Sequence, residues 1–142
     1  MDLLGRLLSE PATTALEKAL DAAALRHQAT ANNLANVNTP GFKRTRVGFE
    51  DELEGALEAL GGGELPQPAA AVERPAAWAA LQGLTPRVVK ETATSLRNDG
   101  NNVDVENELA LLNQNTLWYA ALSRQLTIQF SLLRQVITEG RR

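Results

Sequence analysis

The chain contains no cysteine and only one histidine, one methionine and one tyrosine in 142 residues. Without cysteine there is no disulfide scaffold, no zinc–thiolate site and no thiol nucleophile. His27 stands alone, which excludes a multi-histidine metal centre and leaves a hydrolytic triad with little support; a lone imidazole on a helix face is usually packing or surface. Aromatic residues make up 4%, so a core has to be built from Leu, Val, Ile and Ala. That composition suits helix seams better than a sandwich or barrel. Basic residues are outnumbered, 14 Lys and Arg against 17 Asp and Glu, and the net charge of −3 removes the electrostatic case for binding nucleic acid. Nor is there an apolar run of about 18 residues, the length that would span a bilayer. The opening Met1-Asp2-Leu3-Leu4-Gly5-Arg6-Leu7-Leu8 lacks a basic start and is broken by Arg6, so it does not read as a secretory signal. Gly61-Gly62-Gly63 is not followed by Lys-Ser/Thr, so it is no phosphate loop. A calcium loop starting at Asp99 would place Val103 and Ala110 at ligand positions. No cofactor, metal or small-molecule substrate is expected, and no enzymatic activity.

What is present is helical patterning at both ends. From about Leu3 to Leu34 the sequence reads as helix, with Ser9 as a candidate N-cap and Pro11 tolerated in the first turn. Leu16, Leu20, Ala23, His27, Thr30 and Leu34 recur at steps of four and three, and the many alanines let another backbone approach closely. The pattern stops at Asn36-Val37-Asn38-Thr39-Pro40-Gly41, where Thr39-Pro40-Gly41-Phe42 fits a type II turn. Three segments result: 1–41, an N-terminal helix and turn; 42–100, a variable, Pro/Ala-rich centre; and 101–142, a C-terminal helix. The centre holds a basic run, Lys43, Arg44 and Arg46, which reads first as a solvated loop and second as a contact for acidic partners, then a short acidic helix from Phe49 to Leu60. Residues 64–87, with four prolines among many alanines, read as flexible or extended. Val88–Thr92 is a candidate strand.

The last segment carries the longest periodicity. Asn102 or Asp104 can cap a helix on which Leu109, Leu112, Thr116, Tyr119, Ser123, Leu126, Phe130, Leu133 and Ile137 recur at steps of three and four, until Gly140. The N-terminal stripe is the only partner long enough to cover that seam, so an antiparallel pair is expected. Leu111, Leu117, Trp118, Leu122, Ile128, Leu132 and Val136 lie off the seam. A helix apolar over most of its circumference expects to be surrounded, and with no third long helix the neighbours should be other molecules.

Two strings are specific beyond patterning. The first, around Asn33-Leu34-Ala35-Asn36 and Asn38-Thr39-Pro40-Gly41-Phe42, resembles the N-terminal signature of the bacterial flagellar rod and hook family. The second, Asn101-Asn102-Val103-Asp104-Val105-Glu106-Asn107-Glu108-Leu109 with Asn115-Thr116-Leu117-Trp118-Tyr119, resembles the short proximal rod members of that family. Residues 10–50 and 98–138 carry the likeness. It implies an all-α fold of paired, coiled-coil-like terminal helices around an irregular, partly flexible centre. By the same resemblance the chain is a structural subunit of the basal-body rod, and the periodic Leu109, Leu112, Tyr119, Leu126, Phe130, Leu133 and Ile137 are its expected packing positions. Its partners are then other copies, related rod proteins, proteins of the junction between MS ring and rod, and the flagellar type III export gate. Leu3, Leu4, Leu7 and Leu8 form a candidate export segment, and the location implied is the periplasmic rod, reached without a cleaved signal. A soluble coiled-coil adaptor or secretion chaperone is the alternative from another class.

Overall fold

The computed structural model describes residues 11–60 and 70–139, so Leu3, Leu4, Leu7, Leu8, Ser9, Gly61–Gly63 and Gly140 lie outside the described residues. In chain order the elements are helix α1 (Pro11–Ala35), strand β1 (Thr45–Gly48), helices α2 (Glu50–Ala59) and α3 (Ala70–Gly83), strand β2 (Arg87–Lys90) and helix α4 (Val105–Glu139). The fold is thus all-α in its bulk, with long terminal helices flanking a central segment that holds two shorter helices and one small ribbon. At 1.5 Å per residue, the 35 residues of α4 make a rod of roughly 50 Å.

The residues fall into two compact units. Of the described residues, one gathers 11–19, 49–60, 70–85 and 122–139; the other gathers Leu20–Gly48 and Pro86–Ala121. In the first unit α2 packs on α3. Phe49, Ala56, Ala77 and Leu81 are buried there, the last completely. Phe49 precedes α2 without a side-chain cap, and Glu50, Asp51 and Glu52 fill the first turn, where negative charge suits the exposed amide groups. Helix α3 corrects the expectation of an extended segment over 64–87. Alanine is the best helix former, and the run from Ala76 to Leu81 sustains the helix although Pro75 sits inside it and removes one backbone bond.

In the second unit α1 and α4 run antiparallel. Asn115 Nδ2 donates to the Ala23 carbonyl at 2.8 Å, and Asn33 Nδ2 donates to Glu108 Oε2 at 3.0 Å, so contacts climb one helix as they descend the other. Ala22 and Ala23 are buried at this approach, where a larger side chain would hold the backbones apart. The face of α1 that is covered carries Ala22, Ala23, Ala29, Thr30 and Asn33; His27, placed on the stripe by the periodicity, is exposed instead.

The ribbon was only half legible. β2 overlaps the expected strand from Val88 to Lys90, beginning one residue earlier and ending two sooner, and its partner β1 takes in Arg46, the last residue of the basic run read as a loop, with Lys43 and Arg44 just before it. The two pair antiparallel, Thr45 with Lys90, Arg46 with Val89, Val47 with Val88 and Gly48 with Arg87. Val47 and Phe49 are buried while Arg46 and Gly48 are exposed, the alternation of a strand with one covered face.

Candidate functional site

The two signature strings, about sixty residues apart in sequence, meet in the second unit around the start of α4. Helix α1 ends in a chain of tight turns: Asn36 N–H donates to the Asn32 carbonyl, Val37 to Leu34 and Thr39 to Asn36. Phe42 N–H then donates to the Thr39 carbonyl at 3.2 Å with Gly41 at φ +70°, which makes Thr39–Phe42 a type II turn. Gly100 is also left-handed, at φ +82°. The two turns are tied where Gly41 N–H donates to the Asp99 carbonyl at 2.8 Å.

Four buried side chains join the strings, and three of them are asparagines. Asn33, wholly buried, donates from Nδ2 to the Thr45 carbonyl at 2.8 Å and accepts from the Thr45 N–H at 2.9 Å. Its amide therefore treats Thr45 as an adjacent strand would. Asn102 is inserted into the ribbon's ladder. Its Oδ1 accepts from Arg44 N–H at 2.7 Å, and its Nδ2 donates to the Glu91 carbonyl at 2.8 Å and to Thr94 Oγ1 at 2.9 Å. Asn101 gathers the loose carbonyls beyond α1: its Nδ2 lies 3.1, 3.0 and 2.9 Å from those of Asn36, Val37 and Thr39. Its Oδ1 accepts from Val103 N–H at 2.7 Å, which aims the chain into α4.

The fourth is Glu108, on the first turn of α4 and 1% exposed. One oxygen accepts from Asn33; the other lies 3.1 Å from Arg44 Nη2. Arg44 also faces Glu91 at 3.7 Å, and Arg46 faces Glu91 at 3.3 Å. Burying a carboxylate is costly unless it is both paired and hydrogen-bonded, and Glu108 has both partners. The start of α4 is closed by Asp104, whose Oδ1 accepts from Glu106 and Asn107 N–H, so Asp104, of the two candidates, is the cap.

The cluster's amides point at backbone groups, at Thr94 Oγ1 and at Glu108, its charges face each other, and among the described residues there is no group of acids and histidines placed to hold a metal. Sequence reasoning quoted Asn101, Asn102 and Glu108 as a motif and missed them as contacts, and it missed Arg44 as their ion-pair partner. The available signal was the unusual density of asparagine next to the turns.

The packing positions divide. Leu112, Leu126 and Leu133 are half-buried, whereas Leu109, Tyr119, Phe130 and Ile137 are exposed. The covered stripe of α4 instead follows Glu108, Leu112, Asn115, Leu122, Leu126, Gln129 and Leu133. At 100° per residue Leu117, Trp118, Ile128 and Leu132 lie beyond one edge of it, with Leu117 73% exposed, while Tyr119, Phe130 and Ile137 lie along its other edge and Val105 and Leu109 just past that edge.

Apolar side chains left exposed on α4 give it surface that another protein can cover. Residues 14–43, containing the first signature, match the family model described as flagella basal body rod protein. The chain is 30% identical over 128 residues to the flagellar basal body rod protein FlgB of Bacillus subtilis, covering 89% of this chain and 92% of that one. It is 32% identical over 133 residues to FlgB of Borrelia hermsii and 29% over 120 residues to FlgB of Borreliella burgdorferi, each covering 83% of this chain and 89% of the relative. The chain belongs to the FlgB family of flagellar basal body rod proteins.

Proposed function

We propose that this chain serves as a structural, non-catalytic subunit of the flagellar basal-body rod, packing through its terminal helices into the shaft that carries torque across the periplasm. Family membership supports the place. The observation that carries the mechanism is the pair of exposed apolar flanks on α4: Leu117, Trp118, Ile128 and Leu132 on one side, Leu109, Tyr119, Phe130 and Ile137 on the other. Two different patches on opposite sides of one helix favour head-to-tail contact, and a head-to-tail contact that does not close propagates as a helix. Burying each such side chain contributes roughly 1.5–3 kcal/mol, so a few per neighbour suffice when repeated around a tube.

In this reading the partners are further copies, other rod proteins, the proteins that join the rod to the MS ring, and the export gate that passes the chain outward. Segments 1–41 and 101–142 are the packing ends, and 42–100 is the variable centre. Among the described residues no helix is long and apolar enough to cross a membrane. No cofactor is invoked.

The test replaces Trp118 and Phe130 together by Asp in cells that depend on this chain for swimming. Expression should persist while isolated basal bodies lack a rod and motility is lost. Normal swimming would overturn the reading, and a compact, protease-resistant dimer of the unaltered chain at every concentration would favour the soluble adaptor.

A further inference from the structure

The ribbon has one closed edge and one open edge. Glu91 N–H donates to the Arg44 carbonyl at 3.0 Å, and Asn102 bridges the other two backbone groups of that pair. Arg44 and Glu91 therefore turn their backbone groups toward each other. In an antiparallel ladder such pairs alternate, so Arg46 with Val89 and Gly48 with Arg87 also face inward. Thr45 and Val47 then turn outward from β1, and Val88 and Lys90 outward from β2. On the β1 side Asn33 occupies both groups of Thr45. On the β2 side all four residues are exposed, with Val88 at 55%. An edge strand with its peptide groups outward and valines on show is a template for another strand.

We propose that the outer edge of β2 accepts an extended acidic–apolar strand from a different protein, in register with Val88 and Lys90. Charge selects the occupant. Lys90 is exposed on that edge with Thr45, not an acid, across from it, and opposite charges on facing strands stabilise pairing while like charges oppose it. A second copy is a poor match: its own β2 carries the same basic residues, and its β1 edge is closed by Asn33. The reading of the chain as a rod subunit enters only in naming a neighbouring rod protein as the source of the strand.

The experiment uses the full chain, dilute, with short synthetic peptides alternating Glu and Val or Lys and Val, and reads amide hydrogen exchange. The Glu–Val peptide should slow exchange at Val88 and Lys90 by about tenfold, and the Lys–Val peptide should not. Val88→Pro removes one outward N–H and leaves the ladder to β1 intact, and should weaken binding by about tenfold, the equivalent of one main-chain hydrogen bond. Lys90→Glu, which asks nothing of the backbone, should reverse the preference between peptides. Absence of protection, equal protection by both peptides, or binding unaffected by both variants would overturn the proposal. So would protection that grows with protein concentration alone, which would assign the edge to a second copy. Failure of rod assembly in the preceding test leaves every one of these outcomes readable.

Discussion

An asparagine side chain ends in the same amide as the peptide backbone, and this molecule uses that identity three times. Asn33 stands in for a strand beside Thr45, Asn102 for a rung between Arg44 and Glu91, and Asn101 for a turn donor beneath three carbonyls. Aspartate would lack the donor, and leucine both groups. Truncating Asn33 leaves Thr45 and Glu108 short of partners in a site closed to water. Asn33→Ala should therefore lower unfolding stability on the order of 2–3 kcal/mol, several times the loss at an exposed asparagine such as Asn113. Urea melts of the two variants decide it: equal midpoints would mean that the amide is not structural. The signature was plain in the sequence as a string, but its physical use was not, because each amide serves a backbone group that only the fold brings near.

At the scale of an element, α4 shows what periodicity leaves open. Spacing of three and four identifies a helix, yet two stripes a residue apart satisfy it nearly as well. The sequence favours the stripe through Leu109, Tyr119 and Phe130 because those side chains are large and apolar. The chain covers the stripe through Glu108 and Asn115 instead, since their amide and carboxylate find partners on α1 and at Arg44 just before β1 and would be wasted in solvent. Leu126 and Leu133 lie on or near both. The distinction is measurable: Leu126→Ala should destabilise the dilute chain by about 1–2 kcal/mol, and Phe130→Ala by less than about 0.5 kcal/mol. Thermal or urea unfolding below the concentration of self-association checks the order. Helix α3 teaches a similar lesson, for prolines in 64–87 suggested extension while alanine propensity prevailed over Ala70–Gly83.

For the whole molecule, the interior of the second unit is built from alanines and polar side chains bonded to one another or to backbone more than from large apolar side chains, which are left on the outside of α4. A chain arranged in this way holds itself together by geometry and keeps its hydrophobic surface for others. Deleting residues 64–80 removes part of the first unit and none of the asparagine cluster. Deleting 101–110 removes Asn101, Asn102, the Asp104 cap and Glu108 together. The second deletion should abolish swimming and folding, as read by motility and by circular dichroism of the purified chain; the first should be milder in both. The reverse order would contradict the division into packing ends and variable centre.

Sequence alone determined the helical class, the two long terminal elements, the turn at Thr39–Phe42 and the family, because these rest on local propensity, periodicity and strings of adjacent residues. Tertiary structure decided which stripe of α4 is covered, that the basic run leads into a strand, and that Arg44, Asn33, Asn102 and Glu108 share one site. Those facts depend on pairing between residues some sixty positions apart, and no local rule prices a hydrogen bond whose partner is not yet in place.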